Sequence, residues 1–290
     1  MSHAFWLGID SWSTKTDPIR RQGREDVTTI RTPSFNRYIG IDYSGAQTPT
    51  SSLKGLRVYM AGQSSAPVEV HPPPSPRRYW TRRGIAEWLV EQLAETRPIL
   101  VGIDHAFSFP LRYFETHHLH RNWPAFLDDF QQHWPTDESR TWVQSIRDGT
   151  TGDGAARSGN AHWRRLTETR AGAKSVFHFD FEGSVAKSTH AGLPWLRYLR
   201  QQLGDRVYFW PFDGWKSPVG RSMIAEVYPS LWSRSFPREE RTGHQQDAYS
   251  AAAWMRRSDL DGTLSRFLDP PLMPAERALA QVEGWILGVM

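Results

Sequence analysis

Five side chains in this 290-residue chain could do chemistry together: Asp42, Asp104, Glu226, His244 and Asp247. Three of them sit in or at the end of short apolar runs, "YIGIDYSGA" from Tyr38, "ILVGID" at 99–104 and "MIAEVYP" at 223–229. An ionised carboxylate taken out of water must find a counter-charge or shift its pKa by several units. Carboxylates that share one spot repel each other, and a divalent cation lets all of them stay ionised. No Lys or Arg is equally well placed in the sequence. His244 and Asp247 are three residues apart in "HQQDAYSAAA", so on a helix they share a face. Ala248, Ala251 and Ala252 are small enough to let that helix approach a sheet. Such a set suits metal-assisted hydrolysis, with His244 moving a proton near neutral pH. The ordinary alternative is that Asp42 shapes a turn before Ser44 and Gly45, Asp247 is a solvated helix acid, and Glu226 points outward from an edge strand.

The absence of Cys excludes disulfides, thiolate nucleophiles and cysteine zinc sites. Oxygen and imidazole donors remain, which favour Mg²⁺ or Mn²⁺. "HHLH" at 117–120 has no evident further zinc ligand. "GTTGDGAARSG" at 149–159 lacks the ending of a phosphate-binding loop and reads as a mobile loop near the site. No G-x-S-x-G elbow supports serine hydrolysis.

The elements that must position these residues follow from periodicity. The runs from Tyr38, at 56–62 and at 67–72 are closely spaced and predict antiparallel hairpins. A helix from Thr81 puts Ile85, Trp88, Leu89 and Leu93 on one face. The near-continuous apolar run 99–104 suits a central strand covered on both sides. Pro194 is expected to open a helix carrying Leu196, Leu199 and Leu203; strands follow at 207–212 and 223–229, then helices at 244–257 and from Pro274 to Gly284. Residues 1–36 read as an appended, poorly ordered segment and 111–180 as an insertion carrying some helix. Residues 37–290 are expected to form one α/β domain with a mixed sheet, three antiparallel strands and then parallel ones, flanked by helices. Its 39% hydrophobic content against 23% charged is enough for a real core. No run approaches the ~20 apolar residues of a membrane span, so the expectation is a soluble, cytoplasmic protein.

Taken in order, "GIDYSGA" at 40–46, "VGIDHAFSFP" at 101–110, "AEVYPS" at 225–230, "HQQDAYSAAA" at 244–253 and "EGWILGV" at 283–289 resemble the domain-of-unknown-function family 429. That family is regarded as predicted nucleases of RNase H-like fold. Asp42, Asp104, His244 and Asp247 are also similar in pattern to the acids and His-x-x-Asp of RuvC-type Holliday-junction resolvases, which usually carry Glu where this chain has Asp104. The resemblance implies that Asp42, Asp104 and Asp247 hold two Mg²⁺ or Mn²⁺ ions for phosphodiester hydrolysis. Glu226 would be a fourth ligand or a support, and His244 would shuttle a proton or position water.

Nucleic acid would need a path to that site. "RRYWTRR" supplies Arg77, Arg78, Tyr79, Trp80, Arg82 and Arg83, cations interleaved with aromatics as single-strand binding requires. The net charge of +4 permits a polyanionic partner without demanding one. Two rival readings share the same motifs: an actin-like or sugar-kinase-like ATPase, and a binding protein of the same fold without catalysis.

Overall fold

A computed structural model describes residues 33–73, 78–180, 184–216 and 218–290. The first three strands are β1 (Arg37–Asp42), β2 (Arg57–Gly62) and β3 (Val68–Glu69). Helix α1 (Arg82–Leu93) then leads into β4 (Ile99–Asp104). Five short elements follow: α2 (Leu111–Thr116), α3 (Trp123–His133), α4 (Val143–Arg147), α5 (Leu166–Ala171) and the longer α6 (Ala186–Leu203). The chain ends with β5 (Val207–Phe209), β6 (Ser222–Glu226), α7 (Gly243–Leu260), α8 (Leu264–Leu268) and α9 (Pro274–Glu283). This is a mixed α/β fold around one six-stranded sheet of order β3-β2-β1-β4-β6-β5. The β1–β2 and β2–β3 pairs are antiparallel, and β1, β4, β6 and β5 run parallel. No helix among the described residues is long and apolar enough to cross a membrane.

The two faces of the sheet have different coverings, and strand alternation decides which residue meets which. Ile39, Ile41, Val101, Ile103 and Ile224 face a core built with α1, α3 and α6. Tyr38, Leu100, Met223 and Ala225 face the other way, against Ala251 and Trp254 of α7. Helix α7 comes very close to β1. A Cβ on Gly40 would lie 2.2 Å from the carbonyl oxygen of Ala248 and 2.7 Å from the amide nitrogen of Ala252. The small alanines therefore do what their spacing suggests, but only because β1 also offers a glycine beneath them.

Several boundaries differ from expectation for identifiable reasons. The helix expected to open at Pro194 starts at Ala186 and carries Pro194 in its interior. Pro194 has no N–H to give the carbonyl of His190, and the Thr136 hydroxyl donates to that carbonyl instead, at 2.8 Å. Strand β5 stops at Phe209 rather than 212, because the Phe209 N–H turns to the Asp213 carboxylate at 2.8 Å and Pro211 has no N–H to continue the ladder. The third strand shrinks to Val68–Glu69 between prolines, with Val68 exposed at the sheet edge.

The amino-terminal boundary also moves. Most of the expected extension lies outside the described residues, but Phe35 is buried, and the Ser34 and Phe35 amides donate to the Asp259 carboxylate at the far end of α7. The Tyr38 hydroxyl donates to the same carboxylate at 2.8 Å. The expected insertion carries helices α2, α3, α4 and α5 and contributes to the core. Its Tyr113, Phe126, Phe130, Trp134 and Phe177 join the core beneath the sheet. The glycine-rich stretch at 149–159, expected as a mobile loop, rests on those rings: a Cβ on Gly154 would press into Trp134, and one on Gly159 into Phe177.

Candidate active site

Strands β1 and β4 both end in an acid, and their parallel register sets Asp42 directly beside Asp104. Cross-strand partners project to the same face, so both carboxylates emerge on the side covered by α7. The capping box of Thr242 and Gln245 starts α7 at the right point to bring its first turn over them. His244 Nδ1–H donates to Asp42 Oδ2 at 2.7 Å. This fixes the tautomer and leaves Nε2 as the outward, unprotonated nitrogen of the neutral ring. Asp42 is buried while the His244 side chain is largely exposed.

The electrostatics record the crowding. Burial holds the Asp104 carboxyl well above the usual carboxylate range, and the charges of Asp42, Asp247 and Glu226 raise it further. Asp247 is pushed up to about 6 by burial and by Asp42, with His244 opposing. Burial also raises Asp42, offset by its hydrogen bond from His244 and by the Arg57 charge. The hydrogen bond to Asp42 raises His244 against the effect of burial. The charges of Asp42 and Asp247 thus both act on Asp104, and that of Asp42 on Asp247.

Glu226 departs from the grouping expected of the acids. In the β4–β6 register it pairs with Ile103 rather than Asp104, so its side chain emerges on the opposite face of the sheet. There Arg165 grips it through two bonds, Nη1–Oε2 at 2.8 Å and Nη2–Oε1 at 2.6 Å, and the Phe107 N–H adds a third at 3.2 Å. Arg165 also binds Glu168 at 2.9 Å, and all three side chains are buried. A well-placed Arg therefore does exist, and Glu226 is a clamp at the strand edge with its charge already satisfied. Arg165 belongs to "WRRLTET", 61 residues away, and only its arginine-to-glutamate spacing at a helix start hinted at a role.

The donors available for a cation are hard oxygens, which suit Mg²⁺ or Mn²⁺. The Asp104 and Asp247 carboxylates make no hydrogen bond within the described residues, and Asp42 spends one oxygen on His244. Among the described residues no group of three or more acids and imidazoles stands in ready-made coordination geometry, so a cation would have to draw the set together. Beside Asp104 lies a cleft of about 140 Å³, bordered by His105, Arg165, Glu226 and Tyr228. His105 is buried and neutral, pushed down to about 4 by burial, and its Nδ1–H donates to the Ala106 carbonyl.

The expected nucleic-acid segment splits. Trp80 is buried, with its indole N–H on the Val70 carbonyl. Arg82 is fully buried and donates to the carbonyls of Ser44, Ala46 and Gln47, so it ties down the loop after β1. Neither is open to a nucleic acid. Arg78 and Arg83 are exposed, Tyr79 is half-buried beneath the guanidinium of Arg57, and Arg77 lies outside the described residues. Sequence reasoning missed Arg57, which the antiparallel register sets opposite Asp42. Its Nη1 holds Glu69 at 2.8 Å, and Glu69 in turn accepts from Gln245 of α7 at 2.7 Å. Comparison with family models, curated proteins and solved structures returns no match for this chain.

Proposed function

We propose that this chain is a cytoplasmic, metal-dependent phosphodiesterase of RNase H-like fold that hydrolyses nucleic acid, as its resemblance to family 429 and to RuvC-type resolvases implies. The observation that carries the reading is the side-by-side placement of Asp42 and Asp104 on one face of the sheet, with Asp247 of α7 pressing on both. Three antiparallel strands followed by parallel ones, with the acids at the carboxyl ends of β1 and β4, support it further.

Asp42, Asp104 and Asp247 would hold Mg²⁺ or Mn²⁺. Bound there, the cation would supply Lewis-acid stabilisation and a lowered pKa for its water. The chain's own contribution is positional and protonic. Asp42 fixes the His244 ring through Nδ1, so Nε2 faces outward to accept a proton from water, and the Asp42 charge stabilises the imidazolium that results. Arg165 and the Phe107 amide hold Glu226 so that the β4–β6 edge beneath Asp104 stays rigid. The exposed Arg78 and Arg83 offer a polyanion its nearest cations from the "RRYWTRR" segment.

The test is a cleavage panel with Mn²⁺ on single-stranded, duplex, hybrid and branched nucleic acids, run beside calorimetric titration of Mn²⁺. Cleavage of at least one substrate, lost together with Mn²⁺ binding in Asp104→Asn and Asp247→Asn, is the expected result. Mn²⁺ binding unchanged in both variants, or no cleavage across the panel, ends the proposal. ATP binding without cleavage would favour the actin-like reading.

A further inference from the structure

Two arginines lend their charge to acids of the candidate site: Arg57 acts on Asp42, and Arg238 on Asp247. Arg57 is committed to Glu69 at 2.8 Å. Arg238 has no such partner. It lies in the turn "PREERT" just before α7, is exposed, and pairs with no carboxylate among the described residues. An unrestrained surface arginine would spread over many rotamers. Arg238 is restrained, because the turn that carries it is bonded to the helix that carries Asp247.

Gln246, buried and adjacent to Asp247 on α7, makes the first link. Its Nε2 donates to the carbonyls of Ser233 at 3.1 Å and Phe236 at 2.9 Å, and its Oε1 accepts from Arg241 Nε at 2.9 Å. Arg241 then closes the turn on itself. Its other nitrogens donate to the Pro237 carbonyl and, at 2.9 Å, to the Glu239 carboxylate, and its guanidinium lies 3.8 Å from the centre of the Tyr249 ring. The Arg241 carbonyl in turn accepts from Arg238 Nε at 2.8 Å. Glu239 is thereby held by Arg241, and Nη1 and Nη2 of Arg238 keep no protein partner among the described residues. Those two nitrogens form one edge of a planar fork whose spacing matches two phosphate oxygens. A phosphodiester approaching three carboxylates is repelled unless a cation receives its charge.

We propose that Arg238 donates from Nη1 and Nη2 to the two non-bridging oxygens of the phosphodiester presented to Asp104 and Asp247. Arg238 thus acts on the substrate of the cleavage site proposed above, and its role rests on that reading. The Gln246 and Arg241 bonds hold the fork in place before the substrate arrives, which lowers the entropy lost on binding.

The test uses the full chain and a labelled oligonucleotide of the form that the cleavage panel shows to be cut, or a single strand where none is cut. Its binding is followed by fluorescence anisotropy without divalent ions across a salt series, beside cleavage kinetics and calorimetric titration of Mn²⁺. Arg238→Ala should weaken binding about tenfold, remove about one phosphate contact from the salt dependence and lower kcat/KM at least as far. Its Mn²⁺ binding and melting temperature should match the wild type. Arg238→Lys keeps the charge without the fork, so it should restore the salt dependence and only part of kcat/KM. Arg234→Ala, which removes the same charge from a nearby exposed position, should leave kcat/KM close to wild type. Binding and kcat/KM unchanged in Arg238→Ala, or an equal loss in Arg234→Ala, would overturn the inference and leave the cleavage reading standing. Weaker binding in Arg238→Ala of a chain that cuts nothing would uphold the phosphate contact and end the cleavage reading. A wild-type chain that neither binds nor cuts ends both.

Discussion

His244 Nδ1 lies 2.7 Å from Asp42 Oδ2, and this bond ties the first turn of α7 to the end of β1 across 202 residues of sequence. It makes the most exposed member of the candidate site depend on one of the most buried.

The proton inventory around that bond sets a pH dependence. Asp247, raised to about 6 from its ordinary 3.8, and His244, also raised, both hold more protons in the folded than in the unfolded chain. Stability therefore falls as pH rises, through about 4 to 6 for Asp247 and through the raised imidazole range for His244. For Asp247 the loss is on the order of 2 kcal/mol after allowance for its partial exposure. Melting temperature without divalent ions should decline from pH 5 to pH 8, and Asp247→Asn should flatten the lower part of the curve. Mn²⁺ should raise the melting temperature more at pH 7.5 than at pH 5. An equal gain at both values would mean that the carboxylates do not meet the ion.

Arg165 is the only counter-charge bonded to both Glu168 and Glu226 among the described residues. Arg165→Met leaves two buried carboxylates facing each other and should destabilise the fold by about 3–5 kcal/mol in urea denaturation. Adding Glu226→Gln should return part of that loss. If the double variant is no more stable than the single one, the clamp is not the source of the effect.

Gly40→Ala tests the seating of α7. The new methyl would meet helix backbone rather than a movable side chain. Helix α7 must shift, at a cost of about 2–3 kcal/mol by the usual penalty for overpacking. The shift should also lengthen the His244–Asp42 bond, so the histidine titration followed by NMR should move back toward its ordinary value.

Arg82 and Arg83 are adjacent but should behave oppositely. Arg82→Ala removes three bonds to loop carbonyls from a fully buried guanidinium and should cost about 3 kcal/mol. Arg83→Ala, at an exposed position, should change stability by less than about 0.5 kcal/mol and weaken oligonucleotide binding in a salt-dependent way.

The sequence by itself determined that Asp42 and Asp104 end apolar strands, and that His244, Asp247 and the small alanines share one helical face. These are local properties, because acids at run ends and i, i+3 spacing are written in consecutive residues. It could not tell which side of the sheet each acid occupies. A register offset of one residue between β4 and β6 sends Glu226 to the face opposite Asp104 and into the grip of Arg165, and register is set by pairing between distant segments. Burial of Arg82 and Trp80, the start of α6 eight residues before Pro194, and the gathering of the 111–180 aromatics into the core were likewise decided in three dimensions. Each depends on partners far along the chain: a loop that needed a donor, a Thr136 hydroxyl that replaced a missing N–H, and a set of rings whose contacts carry no periodic signature.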